Sequence, residues 1–285
     1  MGNEVDNRST DLNKVALGIA GMFGIYWIYT AFIAGQLSIS SGLKTAIGML
    51  LLYAIGLGIF LFFTRKIDKQ KYAKNKVPTK TLLICFLLQF TALMVRVAIG
   101  FLEKDSSTDD IFTISPLMLF MLLIFNPIVE ELVFRHLFAT RLLKHGERFY
   151  ILVSAFCFAI VHGFSLGFQG TIYPFLLGLI YAYLMVKTGN LILVMIMHAL
   201  SNLFATVMIQ FLFSVSKEAA LIYMILLMVL AVIGLVLFLR NRKNIVLDGT
   251  LGLFDKVALK EVFTNKGILF FTAFSVIIVL LKRLV

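Results

Sequence analysis

Charge is scarce in this 285-residue chain: Asp, Glu, Lys and Arg together make up 14%, against 60% hydrophobic residues. An ordinary soluble domain carries about a quarter charged residues, so the chain reads as a polytopic membrane protein. Cysteine is scarce as well. Cys85 and Cys157 both fall inside apolar runs, and neither a disulfide framework nor a cysteine-based zinc site is implied. The opening MGNEVDNRSTDLNK lacks the basic-then-apolar layout of a cleaved signal peptide, so the first apolar run is expected to remain as a helix. Asp6 stands where a myristoylation signal wants Ser or Thr. No internal repeat or low-complexity tract interrupts the chain.

What charge there is carries an excess of 26 Lys and Arg over 15 Asp and Glu, a formal net of +11. In a soluble protein that balance would point to nucleic acid; here the basic residues sit in short loops between apolar runs, and no nucleic-acid partner is expected. Apolar windows place spans near 15–34, 43–63, 81–101, 115–138, 149–164, 173–186, 191–213 and 219–239, with a shorter segment near 267–281. The loop Thr64–Lys80 is strongly basic and is expected on the cytoplasmic side, while Glu103–Asp110 is acidic on balance and is expected outside. Counting from there, Arg141–Arg148, Lys187 and Arg240–Lys243 also fall inside, so four basic loops agree with one topology. The fold class is therefore all-α: a polar segment 1–13, then a single membrane domain 14–285 of about eight transmembrane helices. The segment 267–281 either crosses, leaving Lys282 and Arg283 outside against the rule, or lies at the interface. The chain is expected to be an integral multi-pass protein with the lipid bilayer as partner, in the plasma membrane if its source is bacterial.

Within this apolar background, NPIVEELVFRHLF (Asn126–Phe138) holds two adjacent glutamates and an arginine. A charge near the centre of a bilayer helix costs roughly 2.5–3.5 kcal/mol on insertion scales, and such residues are usually functional. Residues four apart share a helix face, and Glu before Arg at that spacing is the favourable order. Glu131 and Arg135 are thus expected to pair, which leaves Glu130 without a basic partner on its own helix. Partners must come from other spans. His162, closing FAIVH, and His198, opening HALSN with Asn202 four residues on, are the polar groups available. At about 1.5 Å of rise per residue, Glu130 lies about 10 Å from the cytoplasmic end of its span at Phe138 and His198 about 11 Å into its own, with His162 somewhat deeper. The core that brings them together is expected at about 115–213. His136 and Ser201 are read as structural or pocket-lining, and Arg96 as a side chain reaching outward from its helix end, with contact to a substrate as the alternative.

Glu-Glu-x-x-x-Arg at Glu130–Arg135, Phe-x-x-x-His at Phe158–His162 and His-x-x-x-Asn at His198–Asn202, in that order on separate spans, resemble the three motifs of the CAAX protease and bacteriocin-processing (CPBP, or Abi) family, and the chain looks similar to type II CAAX prenyl endopeptidases. The resemblance implies an intramembrane endopeptidase that hydrolyses a peptide bond in a membrane-anchored peptide or protein near the cytoplasmic side. It implies that Glu130 activates the attacking water, that His162 helps hold that water, that His198 and Asn202 stabilise the oxyanion, and that Glu131 and Arg135 buttress the site. Peptide hydrolysis needs just such parts: a base for water, donors aimed at the developing oxyanion and a dry pocket. No cofactor is required on this reading. The alternative is zinc, since Glu130, His162 and His198 match a His2Glu ligand set, although the HExxH spacing is absent. Two other functions fit a membrane chain of this kind: a non-enzymatic scaffold or bacteriocin-immunity protein, and a transporter using Glu130 as a proton site.

Overall fold

The computed structural model describes residues 2–103, 115–252, 254, 256–282 and 284, with the side chains of 2–6, 101–103, 168 and 169 left aside. The expected external loop at Glu103–Asp110 lies outside the described residues apart from the backbone of Glu103. Among the described residues, seven helical runs are long and apolar enough to cross a membrane: α1 (Asn7–Gln36), α2 (Ser41–Thr64), α3 (Thr79–Gly100), α4 (Pro116–His145), α5 (Glu147–Gly167), α7 (Leu191–Val215) and α8 (Lys217–Asn244). Between α5 and α7 lies the shorter apolar α6 (Ile172–Thr188). Each expected span has its helix. The chain is an all-α, integral multi-pass membrane protein.

Local chemistry sets where these helices begin. Ser40, Ser115, Asn190 and Ser216 each turn a side-chain oxygen onto a backbone N–H three residues on, capping α2, α4, α7 and α8. Pro116, in the first turn of α4, loses no intrahelical bond there. The polar opening of the chain is not a separate arm: helix begins at Gly2 and runs on into α1. Asp11 is buried, held by Lys144 at 2.9 Å and His145 at 3.1 Å from the end of α4.

Helix α4 is longer than its apolar window. It continues seven residues beyond Phe138 to His145, because Phe138, Ala139 and Leu142 are buried and the Arg141 guanidinium stacks on Phe60 of α2 at 5.4 Å. Apolar windows end at the first charged residue; packing does not. Glu130 therefore lies about 22 Å from the end of its helix, against about 10 Å from the end of the apolar window.

Helix α5 is the hub, with more than three quarters of its most apolar window buried, and it packs against α6 over most of its length. Contact is closest at Gly178 of α6, where a Cβ would stand 2.8 Å from the Ala155 Cα and 3.3 Å from its carbonyl oxygen. Those are backbone atoms and cannot move aside. Gly178→Ala is expected to cost about 1–3 kcal/mol, read as a lower thermal unfolding midpoint in detergent than wild type.

The helix ends that meet the basic loops are tied by polar contacts. In the loop after α2, the backbone N–H of Gln70 donates to the Thr140 carbonyl and that of Asn75 to the Thr188 carbonyl, while Tyr72 shares a hydrogen bond with His136. After α8, a two-residue hairpin pairs β1 (Val246–Leu247) with β2 (Thr250–Leu251) in antiparallel register. Asp248 in its turn accepts from the N–H groups of Glu147 and Arg148, capping α5 from a hundred residues away. The chain ends in α9 (Lys256–Phe263) and α10 (Lys266–Lys282), bent by 58°. Helix α10 runs parallel to α1, from Gly267 beside Asn13 to Phe274 beside Gly24. Its terminal Lys282 reaches the Phe164 carbonyl at 3.4 Å and the ring of Phe164 at 4.3 Å. That carbonyl and ring are the partners of Lys282 whether the helix crosses or lies at the interface.

Candidate active site

The polar residues of α4 divide as their spacing predicts. Glu131 and Arg135 are fully buried, with Arg135 Nε 2.9 Å from Glu131 Oε2. Beyond that pair, Arg135 donates from a terminal nitrogen to Ser154 Oγ at 3.1 Å, and Ser154 donates to the Phe134 carbonyl. Tyr150 donates to the Arg135 carbonyl at 3.2 Å. The guanidinium lies over the rings of Phe158 at 4.7 Å and Tyr181 at 5.6 Å, contacts that favour a cation where water is excluded. Ser154 and Tyr150 were not among the residues singled out in the sequence. Their signal was there to be read: Tyr150, Ser154, Phe158 and His162 recur every four residues and so line one face of α5.

Glu131 has a second task that helix spacing alone does not reveal. Its Oε1 lies 2.8 Å from His198 Nδ1. Arg135 keeps Oε2 engaged, so the carboxylate is an acceptor and the proton of that hydrogen bond sits on Nδ1. His162 is set in the same way: Nδ1 is 2.7 Å from the Phe158 carbonyl, which only accepts. Both rings thus commit Nδ1 as donor and turn Nε2 toward one point. His162 Nε2 is 3.7 Å and His198 Nε2 3.9 Å from Glu130 Oε2. Aromatic rings hold both imidazoles: Phe158 lies against His162 at 4.5 Å and edge-on to His198 at 5.9 Å, and Tyr181 stacks on His198 at 5.2 Å and 24°.

Access is graded across the site. Glu131 and Arg135 are sealed, whereas the side chains of Glu130 and His162 keep 17% and 26% of their surface exposed. The Glu130 side chain is thus partly open, although its Oε2 is buried and has no hydrogen-bond partner among the described residues. Asn202, one turn beyond His198, donates from Nδ2 to the Leu122 carbonyl of α4 at 2.8 Å; it ties α7 to α4 with one of its two amide hydrogens. Backbone widening accompanies the site: i→i+5 turns occur at 121–125 and 132–137 on either side of the glutamates and at 203–207 just after Asn202, a feature that often marks functional positions. Among the residues set apart as structural, His136 bonds Tyr72, Ser201 faces Tyr173 at 3.4 Å, and Arg96 is exposed with its guanidinium 5.7 Å from the Tyr173 ring.

The stretch that holds these three helices also matches a known family. Residues 112–204 match the model described as Rce1-like: Type II CAAX prenyl endopeptidase Rce1-like. The chain carries an Rce1-like domain. The match covers 93 residues, about a third of the chain, and likens that stretch to the type II CAAX prenyl endopeptidases. No curated protein and no solved structure matches the chain. The Rce1-like domain spans α4 to the middle of α7, so every motif residue named above lies within it.

The donors of the Rce1-like domain also bear on zinc. Two imidazole nitrogens and a carboxylate oxygen are the right atom types, yet Nε2–Oε2 separations of 3.7 and 3.9 Å exceed the roughly 3.3 Å edge of a tetrahedral shell with bonds of 2.0–2.1 Å. Among the described residues no group of three His, Cys, Asp or Glu is arranged to hold a metal ion. The arrangement as it stands does not fit a zinc shell.

Proposed function

We propose that this protein hydrolyses a peptide bond in a membrane-anchored peptide or protein near the cytoplasmic side, with Glu130 as the base that activates water. The observation that carries the reading is the convergence of three acceptors, His162 Nε2, His198 Nε2 and Glu130 Oε2, the last a buried carboxylate oxygen with no hydrogen-bond partner among the described residues. A water there gives one hydrogen to Glu130 and is oriented by His162, so deprotonation leaves a hydroxide aimed at the scissile carbonyl. The oxyanion then needs donors. Asn202 has a second amide hydrogen beyond the one given to Leu122, and His198 is held beside it through Nδ1 on Glu131; as the C–N bond breaks, the proton that Glu130 took from water passes to the leaving amine. The developing charge is met in a water-poor setting, where each such donor is worth more than in water. Glu131 and Arg135 act by holding His198 and the helix in place.

The test is cleavage of quenched fluorescent peptides by the purified protein in detergent, with and without a strong chelator. Cleavage that survives chelation within about twofold is the expected result, because the base on this reading is a carboxylate and no metal takes part. Loss of activity on chelation, restored by zinc, would replace this mechanism with a metal-dependent one. A purified wild-type protein that cleaves no peptide or membrane-anchored substrate would leave only a binding or scaffolding role.

A further inference from the structure

Glu131 holds His198 by one atom, Nδ1, at 2.8 Å. One hydrogen bond does not set the plane of an imidazole. The side chain has two torsions, the second of them broad, and together they allow the ring to tilt while Nδ1 stays on the carboxylate. Such a tilt moves Nε2, on the far side of the ring, relative to Glu130 Oε2, which lies 3.9 Å away as the ring stands. His162 has both of its restraints from its own helix: the Phe158 carbonyl at Nδ1 and the Phe158 ring at 4.5 Å. For His198 the second restraint comes from a different helix, α6.

Tyr181 of α6 is fully buried, and its ring stacks on that of His198 with centroids 5.2 Å apart and planes 24° from parallel. Stacked contacts of this kind are directional as well as attractive. Phe158 meets His198 edge-on, at 5.9 Å and 83°. The Arg135 guanidinium lies 5.6 Å from the same Tyr181 ring, and Arg135 holds the other oxygen of Glu131. One ring is thus packed against both partners of that carboxylate. Gly178, three residues earlier on the same face of α6, seats the tyrosine, because the backbones of α6 and α5 meet there with no room for a Cβ.

We infer that Tyr181 is a positioning residue: its ring fixes the plane of His198 while Glu131 fixes Nδ1, and the two together aim Nε2 at Glu130. Sealed from solvent, Tyr181 acts through His198 and meets no substrate. No bond forms or breaks at it. The inference rests on the protease reading above, and it gives α6, which carries none of the three motifs, a part in setting the site.

The experiment compares wild type, Tyr181→Leu, Tyr181→Phe and Glu130→Gln in the full chain in detergent, following kcat, KM and thermal unfolding, with kinetics taken below the lowest midpoint. Tyr181→Leu removes the stacked ring and is expected to lower kcat by on the order of 10–10²-fold with KM unchanged, since a misaimed group costs rate rather than binding. Tyr181→Phe keeps the ring and is expected to hold kcat within about threefold of wild type. If Tyr181→Leu does not fold, Tyr181→Met, which fills the space without a ring, is read on the same terms. Tyr181→Leu combined with Glu131→Gln is expected to lose less than the product of the two single losses, because both changes act on one imidazole. A lowered midpoint with unchanged kcat in Tyr181→Leu assigns the ring to packing and overturns the inference. An equal fall in Tyr181→Phe, or losses that multiply in the double variant, overturns it as well. Each of these outcomes leaves the protease reading intact while Glu130→Gln is inactive. Cleavage that persists in Glu130→Gln, or none by wild type, overturns both.

Discussion

Glu130→Gln is expected to lower kcat by on the order of 10²–10⁴-fold, the range over which a positioned general base contributes, with little change in thermal stability. The carboxylate is the group on which both Nε2 atoms converge, at 3.7 and 3.9 Å. Glutamine occupies the same space and keeps an acceptor oxygen, but it cannot take the proton from water. Folding should be indifferent to the change, since the ion pair one residue on does not involve Glu130. Substrate binding should survive too, so KM is expected to hold while kcat collapses, the pattern of an interaction made only in the transition state. Glu131→Ala is expected to lower kcat less, through the loss of the His198 anchor. A Glu130→Gln protein that cleaves at the wild-type rate would remove Glu130 from the chemistry.

The second large effect is on stability. Arg135→Met should destabilise the protein by about 3–5 kcal/mol, because it leaves the Glu131 carboxylate sealed from water without its guanidinium. The His198 hydrogen bond at 2.8 Å is then its main compensation. The same variant also strips the donor from Ser154 and the cation from between Phe158 and Tyr181. The double variant Glu131→Gln, Arg135→Met removes the orphaned charge along with its partner and is expected to recover part of the loss, since an apolar or neutral replacement of a whole buried pair is often tolerated. Unfolding midpoints of the three proteins in one detergent measure this. If the single and double variants unfold together at the wild-type midpoint, the pair contributes nothing to the fold.

Much of the architecture was legible as pattern. Long apolar runs with little charge specify helices across a bilayer, and basic loops order them, because insertion depends on local composition. The Glu131–Arg135 pair followed from four-residue spacing alone, and so would the Tyr150–Ser154–Phe158–His162 face of α5. The three motifs named the polar groups that had to find one another. What periodicity leaves open is anything decided by how one helix meets another.

Tertiary structure determined that Glu131 is shared between Arg135 and His198, and so fixed which nitrogen of His198 faces the reacting centre. Packing against Phe60 carried α4 on to His145 and set Glu130 farther from the helix end than its apolar window implied. The same kind of contact gave Asn202 a carbonyl of α4 to hold and put Tyr181 against His198. The physical division is between contacts along one helix, which the 3.6-residue repeat dictates, and contacts between helices, which depend on side-chain shapes dozens of residues apart in the chain.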